Sequence, residues 1–199
     1  MNILLLDVDS TLPNLALMKL SAWHRSQHDS VTKAREVPLG EWDRIYASAI
    51  YTWSRRRMEQ LHPHATLGGH GWSLESRLPP EVDAMRPDYN LYGVSYGLGF
   101  LIRGCPRRCP WCDVWKVWPS PLLVAGWDDV LNPLSSFVVL LDDNFLAHPG
   151  HADLLEEAID RGIEVCFTQG LDVRLITEEV AHLLARLKFW NTHHSRSRK

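Results

Sequence analysis

"FVVLLDDNFLAHPGHADLLEEAIDRGIEVCF", Phe137 to Phe167, reads as a strand, a helix and a second strand. The unbroken apolar run Phe137 to Leu141 fits a strand buried on both faces, and it runs directly into the polar triplet Asp142, Asp143 and Asn144. Leu154, Leu155, Ala158 and Ile159 then recur at helical spacing, and Gly162 stands where a helix commonly ends on a left-handed residue. Ile163, Val165 and Phe167 alternate with Glu164 and Cys166, as a strand requires. A strand that returns beside its predecessor through a helix gives parallel pairing, so the stretch places the chain in the α/β class.

The same alternation extends outward. Toward the C-terminus a helix is predicted from Thr177, with Val180, Leu183, Leu184 and Leu187 on one side. Its acids Glu178 and Glu179 lie early and its bases Arg186 and Lys188 late, as the helix dipole favours. Toward the N-terminus "YGVSYGLGFLI" reads as an extended stretch feeding a cysteine loop, so residues 92–189 hold three strand-helix units. That is too few to close a barrel.

Further upstream, "ILLL" (Ile3 to Leu6) bounded by "DVDS" reads as a buried strand, followed after Pro13 by a helix with Leu15, Met18 and Ala22 on one face. "IYASAIY" (Ile45 to Tyr51) is a strand candidate, "SRRRMEQLH" a basic helix, and "ATLGGHGW" a strand entering a glycine turn. The proline-bearing "LPPEVDAMRPDYN" is expected to link two domains, residues 1–86 and 87–199.

The chain has 199 residues, 45% of them hydrophobic and 23% charged, enough for one large or two small cores. A net charge of -3 gives no global basic field, although Arg55 to Arg57 and the tail "SRSRK" are locally cationic, so nucleic acid is not the default partner. No apolar run approaches the roughly 20 residues of a membrane span, and "MNILLLDVDS" carries aspartates where a signal peptide needs bases. A cytoplasmic protein with no membrane partner is expected.

Of four cysteines, three crowd into "RGCPRRCPWC" as CxxxCxxC, at Cys105, Cys109 and Cys112. In a reducing compartment such a cluster points to metal binding or redox chemistry rather than to disulfides. Structural zinc takes four ligands, usually as two separated pairs, and here Cys166 or a distant histidine would have to complete the set. A four-iron four-sulfur cluster held by three thiolates leaves one iron open to substrate. Arg103, Arg107 and Arg108 would offset the negative charge of such a centre, and Pro106 and Pro110 stiffen the loop.

"CPRRCPWC" resembles the radical S-adenosylmethionine signature, including the aromatic Trp111 before the third cysteine. The resemblance implies that Cys105, Cys109 and Cys112 ligate a 4Fe-4S cluster whose fourth iron binds S-adenosylmethionine. It also implies reductive cleavage to a 5'-deoxyadenosyl radical, with Trp111 near the adenine. "ILLLD", "WDRIYASAIYTW", "GGHGW", "LPPEVD" and "PDYNLYG" are similar to the Rossmann-like, cobalamin-binding-like domain that precedes many such enzymes. "FVVLLDDNFLA" and "IEVCFTQGLDVRLIT" look like the second and third strands of the catalytic β/α barrel. The resemblance covers about nine tenths of the chain. It implies a reductant such as flavodoxin or ferredoxin as partner.

Two departures shape the expectation. No histidine lies in a DxHxxG pattern, so cobalamin itself is not expected. The family barrel has six strand-helix units, so three suggest a half barrel, a truncated chain or a second chain that completes it. The alternative to an enzyme of unknown substrate is a truncated, noncatalytic metal-binding or scaffold fragment.

The remaining candidates carry two readings each. Asp142, Asp143 and Asn144 are a turn and capping cluster, or, by the resemblance, Asp143 and Asn144 face the methionine moiety. Gln169, Asp172 and Arg174 follow the third strand and are either polar loop residues or contacts to the ribose or carboxylate, Gln169 and Arg174 being the pair taken for the site. Cys166 is expected as a small buried core residue, Trp115 and Trp118 as loop anchors, and His62, His64 and His70 as solvated loop residues. "GGHG" lacks the spacing of a dinucleotide fingerprint.

Overall fold

The computed structural model describes residues 1–61 and 64–189. His62, Pro63 and the tail from Trp190 lie outside the described residues, as does the expectation that His62 is solvated. The chain forms two compact units, Met1–Val94 and Ser95–Lys199. Both are mixed α/β with parallel sheets.

In the first unit β1 (Asn2–Asp7) leads through α1 (Leu15–Ser26) to β2 (Ser30–Ala34), and β3 (Arg44–Ser48) leads through α2 (Arg55–Leu61) to β4 (Thr66–Gly68). The order is β2-β1-β3-β4, all parallel. β1 is central and apolar on both faces. Leu4, Leu6 and Val8 pack with Ala47, Ala49 and Met58 on one side, and Ile3 and Leu5 pack with Leu17, Leu20 and Val82 on the other. α1 begins where Asn14 accepts a bond from the Leu17 N–H and ends with His24 and Arg25 in its last turn, in agreement with the dipole.

The proline-bearing segment expected as a linker instead packs onto this unit. It carries α3 (Pro80–Asp83), whose Val82 joins the Leu5 cluster, and Asp88 accepts from the Ser21 hydroxyl at 2.6 Å. β2 was not legible in the sequence: "SVTKA" has no apolar run, because it is an edge strand with little burial. The strand expected at Ile45 to Tyr51 stops at Ser48, since beyond it the Ile50 and Tyr51 N–H groups turn to the Asp9 carboxylate at 2.7 and 3.1 Å.

In the second unit β5 (Gly97–Gly99) is followed by an antiparallel ribbon of β6 (Ile102–Arg103) and β7 (Leu122–Leu123), with α4 (Val114–Val117) between them. After α5 (Trp127–Val130) come β8 (Phe137–Leu140), α6 (His151–Asp160), β9 (Glu164–Phe167), α7 (Glu178–Arg186) and β10 (Lys188–Phe189). The sheet order is β10-β9-β8-β5, again all parallel. Gly97 and Gly99 let α5 close on the sheet: a Cβ on either would meet Val130 at 2.4 or 2.5 Å. Gly162, at φ +67°, ends α6 as expected. The two-residue β10, unforeseen, pairs in register with Glu164 and Val165.

One buried polar link holds the amino end of the first sheet. His24 is fully buried, its Nδ1 2.7 Å from Asp29 Oδ2 and its Nε2 3.1 Å from the Tyr46 hydroxyl, which joins the end of α1 to β3. Replacing His24 with Leu removes the buried link between Asp29, which keeps its bond to the amino terminus at 2.8 Å, and the Tyr46 hydroxyl, and is expected to destabilise the protein by about 2 kcal/mol. Tyr46→Phe, which removes one partner, should cost about 1 kcal/mol. Urea unfolding of the two variants checks the ranking.

Candidate functional site

The cysteine loop is built outward from the end of β8. Asp142, only 3% exposed, accepts from the Leu101 N–H at 2.9 Å and the Ile102 N–H at 3.1 Å. Asp143 accepts from the Gly104 N–H at 2.8 Å. Two adjacent carboxylates on one strand end thus grip the backbone between β5 and the first cysteine. The sequence reading of this triplet as a turn and capping cluster is met in part: the groups capped belong to another segment.

Gly104 makes the turn into the loop possible. Its φ is +101°, and a Cβ there would sit 2.3 Å from the Ser120 carbonyl oxygen. Beyond it the Cys105 N–H donates to the Trp118 carbonyl at 3.1 Å, and the Cys112 N–H donates to the Cys109 carbonyl at 3.1 Å. The Trp115 indole N–H donates to the same Cys109 carbonyl at 3.1 Å, so Trp115 anchors the loop. Cys105, Cys109 and Cys112 are all free thiols and partly buried.

Asn144 is buried beside the first of them. Its Nδ2 lies 3.4 Å from Cys105 Sγ, and its Oδ1 is buried with no hydrogen-bond partner among the described residues. On the other side Arg107, from the loop, donates through Nε to Asp172 Oδ2 at 3.0 Å. Arg174 donates to the same carboxylate through Nε at 2.7 Å and Nη2 at 3.0 Å. The Arg174 guanidinium beside it, with help from Arg107, holds the Asp172 carboxyl well below the usual carboxylate range despite its low exposure. Asp172 in turn raises the Arg174 pKa, and the nearby Cys109 and Cys105 add to that.

The other expected residues stand as follows. Arg103 lies over the Phe100 ring at 4.4 Å and near Trp118 at 5.8 Å. Trp111 is 86% exposed, and Gln169 and Arg108 are exposed as well. Cys166 is half-buried in β9, and burial pushes its thiol pKa up. His64 and His70 are exposed. The carboxylate that joins Arg107 to Arg174 could be suspected from sequence only as a polar loop residue, because the pairing spans 65 positions.

Among the described residues, no three His, Cys, Asp or Glu side chains are drawn together as a metal site. The three thiols share one short loop without converging on a common point. Their chemistry still fits an iron-sulfur centre: three sulfur donors, an amide N–H directed at one sulfur, two guanidinium groups nearby, and a buried acceptor that lacks a donor. None of the helices described is long and apolar enough to cross a membrane. No family model matches the chain, and neither curated proteins nor solved structures give a match.

Burial drives the Asp142 carboxyl up to about 7; Asp143 adds to the rise, while the two backbone donors and Arg103 oppose it. The folded value lies above the ordinary 3.8, so the native state keeps a proton that the unfolded chain gives up. The resulting stability is full below pH 3.8 and is lost as the pH rises through about 7. Carbon-13 NMR titration of the Asp142 carboxyl should place its midpoint well above those of the exposed aspartates. In a separate test, Gly104→Ala, strained by both φ and the Ser120 contact, should destabilise the protein by at least about 2 kcal/mol in thermal unfolding.

Proposed function

We propose that this chain is a radical S-adenosylmethionine enzyme of unknown substrate, or part of one. Its first unit would be a Rossmann-like, cobalamin-binding-like domain and its second the first half of a β/α barrel. Strand order supports the finer fold reading: β2-β1-β3-β4 reverses direction at β1, as in doubly wound folds, and β5, β8, β9 and β10 follow one another in parallel.

The observation that carries the functional reading is the surroundings of the CxxxCxxC loop. Cys105, Cys109 and Cys112 would hold the 4Fe-4S cluster, which when bound supplies the electron for cleavage of S-adenosylmethionine to a 5'-deoxyadenosyl radical. The residues of this chain do the rest. Asp142 and Asp143 fix the backbone from which the loop departs. Asn144 donates toward Cys105 Sγ, which stabilises the deprotonated sulfur. Arg107 and Arg174 offset the negative charge of three thiolates. Asn144 Oδ1 offers an unpaired acceptor at the carboxyl end of β8, where parallel barrels collect ligands, and an ammonium group there would satisfy it. Asp143 lies beside it on the same strand end.

Trp111 and Gln169 are exposed and accessible to a ligand's adenine and ribose. Arg174 is engaged with Asp172 and takes the part of a charge near the sulfurs rather than of a direct ligand contact. A reductant such as flavodoxin or ferredoxin in the cytoplasm, and a second chain completing the barrel, belong to the same proposal. Cobalamin does not.

Anaerobic reconstitution with iron and sulfide tests it. A brown protein that bleaches with dithionite, and loses its colour in Cys109→Ala, is the expected result. Reduced protein given S-adenosylmethionine should release 5'-deoxyadenosine. A colourless protein that carries only zinc would overturn the reading. A stable cluster with no cleavage would reduce the chain to a noncatalytic metal-binding fragment.

A further inference from the structure

We infer that Asp172 is a positioning residue for the cysteine loop, holding Arg107 of the loop and Arg174 of the turn after β9 on one carboxylate. The inference rests on the iron-sulfur reading and goes beyond it, because it assigns to a non-ligand the task of fixing where the ligand loop lies.

Arg107 stands midway between Cys105 and Cys109, two residues from each. A bond from its guanidinium therefore fixes the middle of the span between two thiols, as Gly104 and Cys105 fix its start through Asp143 and Trp118. The loop is exposed at Pro106, Arg108, Pro110 and Trp111, so it lacks the apolar packing that would otherwise hold it. The Asp172 side chain is 8% exposed and accepts at both oxygens: Oδ1 from Arg174 Nε at 2.7 Å, Oδ2 from Arg107 Nε at 3.0 Å and Arg174 Nη2 at 3.0 Å. The Arg174 N–H adds a fourth bond at 3.3 Å, which caps the short turn Val173–Leu175. The carboxylate is shielded, whereas Arg107 and Arg174 are 36% and 64% exposed, and two charge-assisted partners on one carboxylate hold it better than a single exposed pair would.

The sum of charges matters as well. Two guanidinium groups and one carboxylate leave one positive charge at this tie. Three thiolates on one loop repel one another. The net positive charge of the tie, with Arg107 pinned midway in the chain between Cys105 and Cys109, reduces both the repulsion and the conformational freedom lost when the sulfurs gather.

Hydrogen exchange on the metal-free full chain tests the positioning without requiring any cluster. Asp172→Asn should speed amide exchange across Gly104 to Cys112 about tenfold, with the strands of the first unit unchanged. Asp172→Glu, which keeps the charge, should restore most of the protection. Equal protection of the loop in the wild type and in Asp172→Asn would overturn the inference. On reconstitution, iron bound per chain should fall at least about threefold in Asp172→Asn and recover in Asp172→Glu. Equal iron uptake in all three, with altered exchange, would also overturn it, because the tether would then not serve the thiols. Failure of the wild type itself to take up iron and sulfide would remove the iron-sulfur reading and, with it, the role of the tether, while the exchange comparison would still show whether Asp172 holds the loop.

Discussion

Two neighbouring carboxylates at the end of β8 govern the second unit. Asp142 and Asp143 accept three backbone N–H groups from the segment Leu101 to Gly104, which no strand partner satisfies. Buried donors of this kind must find acceptors, and acceptors on a rigid strand end leave little freedom in where the segment runs. From this constraint follow the direction of the ribbon β6–β7, the left-handed turn at Gly104 and the starting point of the cysteine loop. The carboxylate that makes this possible is itself costly, since burial favours its neutral form and only the backbone donors and Arg103 oppose that.

The loop then departs from the sheet with little apolar support and is held by polar ties at intervals. Cys105 bonds to the Trp118 carbonyl, Cys109 receives the Trp115 indole N–H, and Arg107 reaches Asp172. Two of these ties come from α4 and the residue that ends it, and the third from the turn after β9. Buried Asn144 lies against the first sulfur, with its Nδ2 3.4 Å from Cys105 Sγ. Such ties limit the freedom of the loop that carries the thiols, so gathering them costs less in order than it would on an unconstrained loop.

The first unit uses a different economy. β1 has apolar side chains on both faces, and its neighbours are arranged on either side so that the strand order reverses there. The loops at the carboxyl end are closed by their own polar groups: Asp7 accepts from the Tyr92 hydroxyl at 2.7 Å, and Asn14 Nδ2 donates to Ser10 at 3.0 Å and Ser48 at 2.9 Å. Buried polar groups that satisfy one another fix the shape of that edge without requiring a ligand.

The sequence by itself determined the α/β class, the central strands, the helix that follows Pro13, the helix ends at Gly162 and Thr177, and the crowding of three cysteines on one loop. These are local signals: apolar runs, capping residues and spacing act within a few positions. It did not reveal β2 or β10, because a short or exposed edge strand carries no apolar pattern and exists only where a neighbour offers its backbone. Nor did it show that Pro80 to Asp88 packs on α1, since Val82 and Asp88 acquire their roles from partners far along the chain. In the candidate site the thiols were legible, whereas their supports were not. Only the tertiary structure decided that Asp142 and Asp143 cap another segment, that Asn144 faces Cys105 with one unpaired oxygen, and that Asp172 joins Arg107 to Arg174. Hydrogen bonds across some 40 to 65 positions leave no periodic trace, because their partners meet only when parallel strands bring distant loops to the same edge.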